Sequence, residues 1–85
     1  MNAISWKTKA LKQMRKLPSQ SGAAIRAAVS SELVDLSGAR NVKKLINHAH
    51  GYRLRVGNYR VFFDFNLAIH IVSIEEVRKR DEQTY

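Results

Sequence analysis

Arg53, Arg55 and Arg60 are the residues whose type and spacing point most directly to chemistry. They lie in the stretch Tyr52 to Phe65, YRLRVGNYRVFFDF, which reads as two strands joined at Gly57-Asn58. Glycine at the first central position of a two-residue loop suits a type II′ turn, whose twist matches paired strands. That turn dictates the pairing: Val56 faces Tyr59, Arg55 faces Arg60, Leu54 faces Val61 and Arg53 faces Phe62. Side chains alternate between the faces of a strand. Tyr52, Leu54, Val56, Tyr59, Val61, Phe63 and Phe65 therefore share a core face, and Arg53, Arg55, Arg60, Phe62 and Asp64 share the other. Like charges directly opposite in a hairpin cost up to ~1 kcal/mol. Two readings fit such a face: solvated arginines, or a site for an anion. Guanidinium suits planar, bidentate contacts with phosphate.

The balance of charge favours the anion. The 85 residues carry a formal charge of +8, and the cations gather at Lys7 to Lys16, Arg53 to Arg60 and Arg78 to Arg80. A polyanion or an acidic partner is expected for so basic a domain. There are no cysteines, which excludes a disulfide framework and a thiolate metal site. No apolar run reaches membrane-spanning length and no signal-peptide pattern is present, so a cytoplasmic protein with no membrane role is expected.

The other chemical candidates are weaker. His48 and His50 could divide acid and base roles or share a metal, but no carboxylate or third histidine is close in sequence. Exposed loop histidines are the expectation. His70 reads as a strand residue, packed or at an edge. Glu75 and Glu76 are adjacent, so in a strand they point to opposite faces, and no acidic pair has the spacing of a metal-dependent nuclease. The expected site has neither metal nor cofactor. RNA permits such chemistry, because its 2′-hydroxyl is held beside the phosphate it attacks. The protein then positions the chain, moves protons and stabilises the developing charge, where one good donor is worth ~10²–10³ in rate.

The elements that must position these residues follow from periodicity. Asn2 to Trp6 reads as a strand. A helix begins at Thr8, with Leu11, Met14 and Leu17 on its apolar face and Lys9, Lys12, Gln13 and Lys16 on a face read as solvated; Pro18 ends it. A second helix, capped by Ser19 or Ser21, runs to about Leu36 on the stripe Ile25, Val29, Leu33 and Leu36, with Gly38 as C-cap. Ala39 to His50 is a connector with extended structure around Val42 to Ile46. Leu67 to Val77 reads as a third, central strand, apolar on both alternations, and the loop at Asn66-Leu67 is longer than two residues. The expected fold is a single α+β domain over 1–85: a short N-terminal strand and two helices packed on one face of a small, mainly antiparallel sheet. The arginines lie on the opposite face.

Taken together, this order resembles the RelE/ParE superfamily of bacterial toxins. The resemblance spans nearly the whole chain. It is most specific in Tyr52-Arg53-Leu54-Arg55, in Gly57-Asn58-Tyr59-Arg60-Val61, and in Arg78-Lys79-Arg80-Asp81 with Tyr85. RelE-type members cut mRNA in the ribosomal A site without metal, ParE-type members poison DNA gyrase, and a small antitoxin wraps and neutralises both. The resemblance implies a RelE-type site at Arg53 and Arg55 on alternate hairpin positions, Arg60 after the turn, a basic residue past the last strand and Tyr85. Counting back from Tyr85 gives Lys79 as that basic residue. Counting forward keeps Arg78 and Arg80 in play, since Glu75-Glu76 reads as an insertion. Arginine hardly deprotonates, so Arg53 and Arg55 suit charge stabilisation better than general-base chemistry. The resemblance thus implies a metal-independent endoribonuclease acting through Arg53, Arg55, Arg60, Lys79, Arg80 and Tyr85, with ribosome, mRNA and a cognate antitoxin as partners. A gyrase poison and a noncatalytic RNA-binding module are the rivals.

Overall fold

A computed structural model describes residues 1–80 of the chain. Its elements are β1 (Ala3–Trp6), α1 (Thr8–Arg15), α2 (Ser19–Glu32), a 3-10 turn (Leu36–Gly38), β2 (Val42–Lys44), β3 (Tyr52–Val56), β4 (Tyr59–Asn66) and β5 (Ile71–Lys79). The strands form one sheet in the order β1-β5-β4-β3-β2. β1 runs parallel to β5, and every other neighbouring pair is antiparallel. A parallel pair needs a crossover, and the two helices lie in the connection that provides it. The architecture is the predicted α+β fold, with β5 an interior strand between β1 and β4.

The hairpin has the predicted register, from Val56 opposite Tyr59 to Arg53 opposite Phe62. Gly57 takes φ 56° while Asn58 is not among the residues of positive φ, as a type II′ turn requires. Leu54, Val61 and Phe63 are buried on the core face with Val72, Ile74 and Val77 of β5. Ala10, Met14, Ile25 and Val29 of the helices, with Leu33 at the C-cap of α2, close over them.

The helices depart from their predicted detail. In α1 the buried pair is Ala10 and Met14, and Leu11 is 43% exposed. The rotation follows from where α1 sits, against β5 beyond the end of β1. There Lys7 donates its backbone N–H to the Ile74 carbonyl, and the Gln13 side-chain oxygen accepts the Val77 N–H at 2.6 Å. The helix thus completes hydrogen bonds that β1 is too short to supply. Pro18, rather than Ser19 or Ser21, occupies the N-cap of α2, with no side-chain cap. α2 ends at Glu32 instead of Leu36. Asp35 accepts from the backbone N–H and hydroxyl of Ser37, and this local bonding competes with helix continuation. Gly38 closes the 3-10 turn, not α2.

The last strand starts later and carries an irregularity. Leu67 to His70 form the turn, where Asn66 Oδ1 accepts from the Ala68 and Ile69 N–H groups. His70 lies in that turn with φ 54°, not in a strand. Phe62 pairs with Glu76 but Phe63 pairs with Ile74, which leaves Glu75 as the extra residue of a β-bulge. The bulge restores parity: Ile74 and Val77 both face the core although they are three positions apart. It also overturns the expectation that Glu75 and Glu76 point to opposite faces, since both carboxylates come to His50 on the outer face.

No helix among the described residues is long and apolar enough to cross a membrane.

Removing the bulge residue leaves a strand whose alternation matches every existing pair. Deletion of Glu75 should therefore give a folded protein within ~1 kcal/mol of wild type. Deletion of Ser73 forces a face flip and should abolish cooperative unfolding. Thermal melts with amide NMR spectra of both variants check this; a folded Ser73 deletion beside an unfolded Glu75 deletion would refute the register.

Candidate nucleic-acid interface

Register converts the sequence pattern into a surface. Arg55 pairs with Arg60 and Arg60 with Arg78, so three guanidinium-bearing residues stand in one row across β3, β4 and β5. The adjacent row is Lys43, Arg53, Phe62 and Glu76. Neighbouring strands are ~4.8 Å apart, so the rows concentrate positive charge on the face away from the helices. Arg53, Arg55, Gly57, Tyr59, Arg60 and Arg80 line a cleft of about 250 Å³ beside the turn. Arg80 reaches it because its backbone N–H donates to the Asn58 carbonyl at 2.6 Å, which holds the chain beyond β5 against the hairpin tip.

Of the residues predicted for the site, Arg53, Arg55, Arg60 and Arg80 are brought together at the cleft. Lys79 is not. It pairs with Tyr59, and although Tyr59 lines the cleft, Lys79 does not. Arg78 shares the arginine row, but its Nε donates to Glu76 Oε1 at 3.2 Å. Tyr85 lies outside the described residues.

The outer face continues into a second cluster that sequence reasoning missed. Residues 45–51 fold back over the sheet, closed by a hydrogen bond from the Leu45 N–H to the Gly51 carbonyl. His48 stacks on Phe62, ring centres 5.0 Å apart and planes 13° from parallel. His50 is half-buried rather than exposed. Its Nδ1 lies 3.3 Å from Asp64 Oδ2 and its Nε2 3.0 Å from Glu76 Oε2. Asp64 also accepts the Gly51 N–H at 2.7 Å. Glu76 is buried beneath this network, and its other oxygen is 3.0 Å from Lys9 Nζ. The sequence places no carboxylate near His50. The fold supplies three, because β4 brings Asp64 and the bulge turns Glu75 and Glu76 to the same place. His50, Asp64 and Glu75 are, among the described residues, the one group whose ligand atoms could surround a metal ion, all lying within 4.8 Å of one another.

Glu76 holds this end of the sheet together electrostatically. Burial pushes its pKa up, but hydrogen bonds from Lys9 and His50 and the charges of Arg78 and Lys9 outweigh burial and hold it below the ordinary value of 4.5. A carboxyl depressed in the folded state contributes stability that is fully present above its unfolded pKa. That contribution is lost as pH falls from about 4.5 through the depressed value.

Glu76→Gln should therefore lower thermal stability at pH 7 and flatten the stability–pH curve below pH 4.5. The loss at pH 7 should be about 2 kcal/mol, the scale of hydrogen bonds to a charged group. Melting curves from pH 3 to pH 7 for both proteins check this, and an unchanged slope in the variant would remove Glu76 from that role.

Comparison with known proteins agrees with this fold. The profile of the family described as ParE toxin of type II toxin-antitoxin system, parDE, matches residues 4–84. No curated protein sequence matches the chain. Among solved structures, the RelBE2 toxin–antitoxin complex of Mycobacterium tuberculosis aligns with TM-score 0.76 and 24% identity over 93% of this chain and 98% of that one. The archaeal RelE–RelB complex of Pyrococcus horikoshii aligns with TM-score 0.72 and 22% identity over 95% and 97%. Free E. coli RelE, as a mutant with two arginines replaced by alanine, aligns with TM-score 0.75 and 20% identity over 98% and 87%. These identities establish the shared fold, and the family profile establishes kinship. The chain has the RelE fold and belongs to the ParE toxin family of type II toxin–antitoxin systems.

Proposed function

We propose that this toxin is a metal-independent endoribonuclease that cuts mRNA on the ribosome in the cytoplasm. The observation that supports this reading is the convergence of Arg53, Arg55, Arg60 and Arg80 on one cleft. Guanidiniums in that arrangement grip the non-bridging oxygens of a phosphodiester as charge builds on them. The 2′-oxygen of the preceding ribose attacks phosphorus and gives up its proton, while the leaving 5′-oxygen gains one. Arginine does not carry those protons, so Arg53 and Arg55 orient the backbone, Arg60 holds the scissile phosphate, and water or Tyr85 moves the protons. Arg80 takes the charge-stabilising role of the tail, because it lines the cleft and Lys79 does not.

A second reading, inhibition of DNA gyrase, is favoured by the match to the ParE family profile. Mapping new mRNA 5′ ends after induction, beside a gyrase supercoiling assay, separates the two. Cleavage with normal supercoiling supports the ribonuclease, and the reverse overturns it.

Within the ribonuclease reading, Arg60→Lys keeps the charge but loses the bidentate fork, and should lose most activity. Arg60→Ala should lower the cleavage rate ~10²–10³-fold with the fold retained. Arg55→Thr should weaken cleavage yet raise stability by up to ~1 kcal/mol, because it removes a like-charge neighbour from the row. Cleavage on programmed ribosomes and melting temperature are measured together for each variant. Full activity in Arg60→Ala would remove it from the site.

The partner proposed is a cognate antitoxin, as the RelB complexes of the structural neighbours suggest. An acidic segment that orders on the arginine face fits both the charge and the shape. Its association rate should fall steeply between about 0.1 and 1 M salt, as the screening length drops from about 10 to 3 Å. Stopped-flow mixing measures this, and a salt-independent rate would place the antitoxin elsewhere.

A further inference from the structure

We propose that His48 is a stacking shelf for a nucleobase, next to the arginines that hold the phosphates. The inference rests on the ribonuclease reading and adds a contact to the base.

His48 is an exposed side chain, yet its ring is fixed on two sides. One face lies parallel to Phe62 at 5.0 Å. In the ring plane, Nδ1 accepts the backbone N–H of His50 at 3.1 Å, which places the proton of the neutral ring on Nε2. The loop beneath is held in turn: His50 reaches Asp64 and Glu76, and Gly51 donates to Asp64. Shielding Phe62 from water requires only an apolar side chain. It does not require an oriented aromatic ring that itself stays exposed, stacked on Phe62 and tilted 50° to the His50 ring at 5.9 Å.

The surroundings specify what the exposed ring meets. Phe62 is directly opposite Arg53, and the Arg55–Arg60 pair is two residues along the strands, roughly 6.6 Å away. A ribose and its glycosidic bond span that gap. A phosphate in the arginine cleft therefore brings an attached base over His48. An aromatic face beside cations is the combination by which single-stranded nucleic acid is held, and stacking tolerates any base because every base has a π-face. The side chain thus contributes substrate binding and register, while charge stabilisation stays with the arginines.

The test uses ribosomes programmed with a short mRNA bearing one abasic nucleotide, moved one position at a time across the cleavage window. For wild type, KM should rise on the order of tenfold at one position, the scale of a single base–aromatic stack. His48→Ala should show that raised KM with intact mRNA, little change in kcat, and no further penalty at the abasic position. His48→Phe should restore both the lower KM and the abasic sensitivity. Thermal melts report whether each variant keeps its fold, and Arg60→Ala, which lowers kcat, serves as the contrast. If His48→Ala keeps the abasic penalty, or raises KM equally for intact and abasic mRNA, the ring only supports the loop and the shelf is refuted. If wild type cleaves no programmed ribosome, the ribonuclease reading fails and the shelf fails with it. If wild type cleaves and depends on Arg60 but not on His48, the shelf alone fails.

Discussion

Like-charge crowding on a pleated sheet is the constraint around which this domain is arranged. Arg55, Arg60 and Arg78 stand in one cross-strand row, and each such contact costs up to ~1 kcal/mol. The row persists because the same strands bury Leu54, Val61, Phe63 and Ile74 on their other face. Full burial of one such side chain contributes ~1.5–3 kcal/mol. Period-2 alternation ties the two sets together, so the register that fills the core also sets the arginines opposite one another. No slip of the hairpin relieves the repulsion without exposing Phe63. The tight turn at Gly57 removes most of the entropy by which the strand ends could move apart.

The outer face is divided by charge, and Glu76 marks the boundary. On one side lie the arginines; on the other, His50, Asp64 and Glu75. Glu76 draws Arg78 toward itself and leaves Arg53, Arg55, Arg60 and Arg80 at the cleft. It also anchors Lys9 of α1 and His50 of the loop. A single buried carboxylate thereby joins the helix, the last strand and the loop that covers Phe62. Cutting one partner from such a group leaves a buried charge under-compensated, so changes at Lys9 or His50 act on the cleft through packing as well as through charge.

The hairpin was legible in the sequence because its determinants are local. A two-residue turn, strict alternation and arginines at alternate positions leave one register, and the structure has that register. Existence and type of both helices were legible for the same reason. Their ends were not: α2 yields to the Asp35–Ser37 hydrogen bonds, and α1 rotates to satisfy the free edge of β5. The histidine–carboxylate cluster was invisible for a different reason. His50 meets residues 14 and 26 positions away, and the meeting depends on one unpaired residue, Glu75, that no alternation pattern announces. The pair Glu75-Glu76 did look like an insertion in the strand, and a bulge is what an inserted residue becomes when both flanking segments keep their faces. The same insertion blurred the tail. Counting back from Tyr85 pointed to Lys79, whereas Arg80, held to the hairpin tip by its bond to the Asn58 carbonyl, is the tail residue that lines the cleft.

A cleft lined by arginines separates two tasks that catalytic sites often give to one residue. Guanidinium keeps its charge throughout the physiological range, so the attraction of this cleft for phosphate is insensitive to pH, while its sensitivity to salt is high. Proton transfer has the opposite character, since it needs groups that gain and lose protons near the working pH. Within the ribonuclease reading, a pH dependence of cleavage near neutrality therefore reports on the proton carriers and not on the arginines. Stacking belongs to neither class: it responds to the identity of the base and to the π-face beneath it, and only weakly to salt. Binding through charge, through base and through proton transfer would thus vary with three different conditions on one sheet face. That independence is what allows Arg60, His48 and the proton carriers to be told apart by kinetics.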